Sequence, residues 1–219
     1  MRPLIDVIIA EHEGKKTLAW DVDCTLADTR GYFFRTINRE VGNRRNLTTA
    51  QLMALYHYTE DVDFWNDQAR AQRLMAEMRF QDDHQLALEP YENTPQLVQS
   101  IDAIIKTAAY ITARPSYQAD VTSRWLKQHQ FPPALVLARN NGTDHAGGNR
   151  WKAHILMDLY PTVVGIVDDH PQLATILHEM GYQGTVFVIG QDSHPHANGR
   201  ILPCPTLLDV QHEALQRYS

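Results

Sequence analysis

Hydrophobic positions in this chain fall into two rhythms. Five short runs, at 17–20, 108–112, 134–138, 163–167 and 185–189, are apolar almost without interruption, and the last two are mostly β-branched. A strand covered on one face alternates apolar with polar positions, whereas one covered on both faces does not. The runs therefore predict buried strands of a parallel sheet. Between them the apolar spacing becomes helical. Thr94-Pro95 reads as a cap followed by proline at the first helical position, and Leu97, Val98, Ile101, Ile104 and Ile105 follow at helical spacing. Helices are also predicted over 120–130, 151–159 and 173–180, the last closed by Gly181, with a final one over 206–217. Alternating strands and helices specify an α/β core with a mainly parallel sheet.

One stretch breaks the alternation. Residues 29–88 contain no convincing strand but three helix-like segments, near 32–40, 50–56 and 64–80. This predicts a helical insertion at 29–88, with the sheet domain made of 1–28 and 89–219. Residues 191–205 read as a polar loop before the last helix. Composition narrows the class. At 219 residues and 43% hydrophobic, the chain can bury a core, and its formal charge of −6 argues against a nucleic-acid or membrane-surface binder. Two distant cysteines give no disulfide framework, and no segment reads as a signal peptide or membrane span. A soluble cytoplasmic protein is the expectation; oligomeric state is not set by the sequence.

The chemistry gathers at the ends of the predicted strands. In an open parallel sheet, ligands bind beyond the strands' carboxyl ends. The first run ends in Asp21-Val22-Asp23-Cys24-Thr25-Leu26, the second in Thr112-Ala113-Arg114-Pro115, and the fourth in Asp168-Asp169-His170-Pro171; Lys152 begins the helix before that fourth strand. Carboxylates crowded at one edge repel unless a cation or proton lies between them, and three near one point suit a hard divalent ion such as Mg²⁺. One carboxylate can attack phosphorus and a second can move a proton; Thr112 can donate to a phosphoryl oxygen and Lys152 can offset charge. Singly, each residue has an ordinary reading: a strand former, a surface lysine, an acidic cap. Their order and common edge make the combination informative.

In that order, Asp21-Val22-Asp23-Cys24-Thr25-Leu26, Thr112, Lys152 and Asp168-Asp169 make the chain resemble the haloacid dehalogenase superfamily of phosphohydrolases. The resemblance implies a Rossmann-like three-layer core and a helical cap at the position of the insertion. It implies Asp21 as nucleophile and Asp23 as general acid/base. Mg²⁺ would be held by Asp21, the Asp23 carbonyl and Asp168, with Asp169 in support, and the phosphoryl group by Thr112 and Lys152. Many members have glycine where this chain has Cys24, which is read here as a small buried apolar residue.

A finer resemblance is to 5′(3′)-deoxyribonucleotidases, on residues 21–28, Phe33-Phe34-Arg35, 88–95 and Asp168-Asp169-His170-Pro171. It implies that Tyr32, Phe33 or Phe34 stacks on a base, with Arg35 near the phosphate; the alternative is that these aromatics pack the cap. Arg114 either touches substrate or pairs with a carboxylate. The function expected is a Mg²⁺-dependent phosphatase acting on a small phosphorylated metabolite, nucleotides included. A phosphotransferase or mutase, a polynucleotide-end phosphatase and a non-catalytic regulatory relative remain alternatives. Among the eleven histidines no zinc spacing is seen; His170 is expected to start a helix, and His194 and His196 to be solvated.

Overall fold

The structure, a computed structural model, describes residues 1–140 and 147–219. Strands β1 (Thr17–Trp20), β2 (Lys106–Pro115), β3 (Leu135–Arg139), β4 (Val163–Asp168), β5 (Thr185–Ile189) and β6 (Ile201–Cys204) form one sheet in the order β3-β2-β1-β4-β5-β6, with every pairing parallel. The helices are α1 (Arg2–Glu11), α2 (Thr29–Glu40), α3 (Thr49–Leu55), α4 (Gln68–Phe80), α5 (Asp82–Leu86), α6 (Thr94–Ile104), α7 (Ala119–Gln128), α8 (Gly148–Leu159), α9 (Pro171–Glu179) and α10 (Leu207–Tyr218). Side chains of the central strands alternate between two cores. Leu18, Trp20 and Tyr110 pack with α6, α7 and α10, while Ala19, Ala109 and Ile111 pack with α1, α8 and α9. Both faces are covered, which is why the runs are apolar throughout. The result is a three-layer, Rossmann-like α/β fold.

Two local readings need correction, and one helix was not predicted. Residues 191–205 are not all loop: Ile201–Cys204 is the edge strand β6, paired to β5. Its start is fixed by Asn198, whose Oδ1 accepts from the amides of Arg200 and Ile201. Pro203 lacks the ladder donor, which an edge position tolerates. The first residues form α1, whose Ile5 and Ile8 are buried. Helix α6 is entered through Asn93 in the left-handed region (φ 60°), so Thr94 is inside the helix and not its cap.

Residues 29–86 carry α2 to α5 and their own buried cluster, including Phe34, Ile37, Leu52, Trp65 and Met78. Each large apolar side chain fully buried there contributes roughly 1.5–3 kcal/mol. Helix α4 begins at Gln68, where the Asp67 side chain accepts from the Arg70 amide at 2.9 Å; Phe64 and Trp65 precede it and fill the cluster. The chain enters and leaves this helical unit side by side, with the Asp28 amide donating to the Glu89 carbonyl at 2.8 Å and Tyr91 to Leu26 at 3.1 Å.

Candidate active site

Strand β1 lies between β2 and β4, so the chain runs outward from β1 through β2 and β3 and then returns to β4 on β1's other side. That reversal opens a crevice at the carboxyl ends of β1 and β4. Asp21 follows β1, its amide donating to the Val167 carbonyl at 2.9 Å, and Asp168 ends β4. Lys152 reaches the same point from α8. Its Nζ lies 2.7 Å from Asp21 Oδ1 and 2.8 Å from Asp168 Oδ2, and all three side chains are buried. Asp168 Oδ1 accepts from the His170 amide, which fixes the carboxylate. His170 caps α9, as its position before Pro171 suggested.

Asp169 completes the acidic cluster. Thr25, within the turn after β1, accepts from the Asp169 amide at 3.0 Å and donates to its Oδ1 at 3.3 Å. One oxygen from each of Asp21, Asp168 and Asp169 falls within a 4.8 Å group. Burial pushes the Asp21 carboxyl well above its ordinary range; Lys152 opposes this, while Asp168 and Asp169 reinforce it. Burial, then Asp168, pushes Asp169 up to about 7. Burial works against the charged Lys152, but Asp168 and Asp21 outweigh it and hold the amine protonated. One lysine cannot neutralise three carboxylates. The donor set, all oxygen, fits a hard divalent cation.

Asp23 is held differently. Strand β2 shifts register between Thr112 and Pro115, and this irregularity aims Arg114 back across the sheet. Arg114 grips Asp23 in a fork: Nε to Oδ2 at 2.8 Å and Nη2 to Oδ1 at 2.7 Å. Its Nη1 is anchored on Thr122 of α7 at 3.1 Å, and Thr29, the first residue of α2, donates to Asp23 Oδ1 at 2.6 Å. Burial works to raise the Asp23 carboxyl, but Arg114 and Thr29 together hold it below its ordinary range. Thr112, buried beneath the irregularity, accepts from the Arg114 amide at 3.2 Å, leaving its own proton to give.

The remaining expectations divide. Phe33 and Phe34 are buried in the cluster of the helical unit and also line a cavity of about 270 Å³ between that unit and the sheet; Asp23, Cys24 and Arg114 form its floor. Tyr32 packs beside them, its hydroxyl 2.8 Å from His84 Nδ1. Arg35 does not reach the cavity: it pairs with Asp28 at 2.7 Å on the exposed side. His194 is not solvated. It is 7% exposed, with Nε2 3.0 Å from the Pro171 carbonyl and Nδ1 accepting from the His196 amide. His196 itself lies against His178, ring centroids 4.5 Å apart. Sequence reasoning assigned no role to Thr29, Thr122 or Gln85. Only folding brings them to Asp23, to Arg114 and to the cavity, and no spacing signals it.

No protein-family model matches this sequence, and no curated protein matches it. Solved structures do match its fold. A HAD phosphatase from Thermococcus onnurineus is 14% identical, covering 93% of this chain and 99% of its own, with a TM-score of 0.53. A HAD-superfamily hydrolase of subfamily IA from Geobacter sulfurreducens is 14% identical over 88% of this chain and 90% of its own, with a TM-score of 0.53. A dehalogenase is 13% identical over 90% and 96%, with a TM-score of 0.56. Phosphatase and dehalogenase share this architecture, so the reaction has to be argued from the site. The chain has the fold of the haloacid dehalogenase superfamily.

Proposed function

We propose that this protein is a Mg²⁺-dependent phosphomonoester hydrolase that acts on a small phosphorylated metabolite through an aspartyl-phosphate on Asp21. The observation that carries the reading is the pairing, at one sheet edge, of two carboxylates held by different cations. Asp21 is buried against Lys152, and Asp23, two residues on, is clamped in its charged form by Arg114. A dehalogenase needs a carboxylate nucleophile, but its halide leaves without a proton, so that step needs no acid beside the nucleophile. A phosphatase needs both: the Asp21 carboxylate forms a bond to phosphorus as the ester P–O bond breaks, and Asp23 passes to the leaving oxygen a proton taken from the monoanionic phosphomonoester, returning to the charged form that Arg114 holds. Water then attacks the same phosphorus, gives its proton to Asp23, and releases phosphate and the free Asp21 carboxylate.

Lys152 offsets charge on Asp21 and on the incoming phosphoryl oxygens, and Thr112 offers them a hydroxyl donor. Asp21, Asp168, Asp169 and the Asp23 carbonyl would hold Mg²⁺, which offsets carboxylate and phosphoryl charge when bound. The helical unit over 29–88 would act as a lid, excluding water and shaping the cavity. The cavity's size supports a monomeric substrate over a polynucleotide end.

The test is phosphate release from a panel of phosphomonoesters with Mg²⁺ and with EDTA. Release should need the metal and vanish in Asp21→Asn. Lys152→Ala should cost at least roughly tenfold in kcat, since charge-stabilising groups are typically worth about 10²-fold or more. Wild-type rates in Asp21→Asn would overturn the nucleophile assignment.

A further inference from the structure

The cavity above Asp23 carries chemistry of its own. Its walls are aromatic, with Phe33 and Phe34 from α2, Phe80 at the end of α4, and Tyr58 at the rim. Most of its polar groups are already engaged. Arg114 and Thr29 hold Asp23, and Arg30 donates to the carbonyls of Met53, Tyr56 and His57. Gln118 Nε2 donates to the Arg79 carbonyl at 2.6 Å, while Glu60 and Arg79 pair with each other.

Among the buried polar side chains that line the cavity, Gln85 is the exception. It lines the cavity and is 96% buried. Its Nε2 donates to the Met78 carbonyl at 2.6 Å, which fixes the orientation of the amide, and its Oε1 is a buried acceptor with no partner among the described residues. A buried acceptor left unpaired is costly, so such a group in a ligand cavity points to a donor on the ligand.

We propose that this cavity selects phosphomonoesters whose organic part is a single flat ring system bearing an N–H or O–H donor. Gln85 Oε1 receives that donor, and Phe33 and Phe80 frame the ring. The inference rests on the phosphohydrolase reading above. Aromatic walls favour a ring by offset or edge contacts. A sugar phosphate fits poorly, because its several hydroxyls would leave water for a cavity whose buried polar groups, Gln85 Oε1 apart, are already paired. A volume of about 270 Å³ lies at the small end for ligand pockets, typically about 300–1,000 Å³, and suits one ring system.

The experiment measures kcat/KM of the full chain with Mg²⁺ on esters of primary alcohols, which have similar leaving groups. They are 4-hydroxyphenethyl phosphate, phenethyl phosphate, thymidine 5′-phosphate and glucose 6-phosphate, with acetyl phosphate as a small substrate that does not need the cavity. We expect 4-hydroxyphenethyl phosphate or thymidine 5′-phosphate to exceed glucose 6-phosphate at least tenfold, the leader showing whether the ring sits directly on the chain or beyond a sugar. Gln85→Leu should erase the advantage of 4-hydroxyphenethyl over phenethyl phosphate. Should that variant fail to fold, Phe80→Ala, at a position 46% exposed, should lower the ratio of ring esters to acetyl phosphate about fivefold or more.

Turnover of acetyl phosphate with no preference for ring esters, or ratios unmoved by either variant, overturns this inference and leaves the hydrolase intact. Absence of phosphate release from every substrate overturns the hydrolase reading instead. Saturable binding of the free alcohol 4-hydroxyphenethanol, followed by NMR against glucose, then decides the cavity: binding of the ring alone supports it, and binding of neither, or of glucose, overturns it.

Discussion

Arg114 shows how a single side chain can set the state of a site. Its side chain is 5% exposed and its three nitrogens are committed, two to Asp23 and one to Thr122. The fork fixes where Asp23 points as well as its charge. Lysine carries the charge but not the fork, so Arg114→Lys should keep the protein folded and still lower kcat, by about 10²-fold if Asp23 shifts by an ångström. Steady-state kinetics on any cleaved ester would check this, and an unchanged kcat would show that the clamp is only structural. Cys24 makes a second point. It sits at φ 61°, in the left-handed region, where a side chain costs roughly 1–2 kcal/mol and glycine costs nothing. Glycine also gives the unfolded chain more freedom, worth about 0.4–1 kcal/mol in the other direction. Cys24→Gly should therefore stabilise by about 1 kcal/mol or less, seen as a small rise in the urea midpoint at unchanged slope. The resemblance marked Cys24 as a departure from glycine, but the residue was read as small and buried; it is only partly buried, and nothing in the residues around it announces a positive φ. The partner of Arg114 was left open between substrate and carboxylate, because the register shift that aims it is a property of the paired strands.

At the scale of elements, α7 and the turn before it tie the helical unit to the sheet domain. Gln118 holds the Arg79 carbonyl, Arg124 pairs with Asp82 at 2.6 Å, and Trp125 Nε1 donates to the Leu88 carbonyl at 2.7 Å. Its interior depends on Trp65, which is fully buried with Nε1 donating to the Thr59 carbonyl at 3.1 Å. Trp65→Ala should cost about 3–5 kcal/mol, and most of that loss should fall on the helical unit. Hydrogen exchange would then speed in α2, α3 and α4 while β1, β2 and β4 stay protected. Uniform acceleration across both parts would mean that they unfold as one. Strands β1 to β5 were legible because burial on both faces leaves uninterrupted apolar runs. β6 was not, because four residues containing Pro203 in a polar stretch carry neither rhythm; pairing with β5 makes them a strand. Helix α1 was passed over as well, since a short N-terminal segment with two buried positions, Ile5 and Ile8, shows little periodicity to read. His194 was misread for a similar reason: its burial comes from a loop folding back onto the start of α9, a contact between segments 23 residues apart.

For the whole molecule, the acidic edge opposes folding when no cation is bound. The chain is already negative at −6, and its carboxylates converge where burial disfavours charge. The sign of the pH dependence follows from Asp169. Its folded carboxyl is raised from an ordinary 3.8 to about 7, and Asp21 is raised in the same sense. The unfolded chain loses these protons from about pH 4, while the folded protein keeps the Asp169 proton until about 7. Stability present below pH 4 from this source is therefore lost progressively as pH rises through 7. Asp23 works the other way, its lowered carboxyl contributing stability that is lost on acidification. Metal-free protein in EDTA should accordingly melt highest near pH 5 and several degrees lower at pH 8. Saturating Mg²⁺ at pH 8 should restore the difference in a concentration-dependent way, since a ligand that binds only the folded state stabilises it by mass action. Asp21→Asn removes one of the crowded charges and leaves Lys152 paired to Asp168. That variant should raise the metal-free melting temperature at pH 8 and flatten its pH slope while abolishing turnover, the exchange of stability for function expected at a site built from like charges. A melting temperature that is flat from pH 5 to 8 in EDTA, and indifferent to Mg²⁺, would mean that the carboxylates do not act as a cation site.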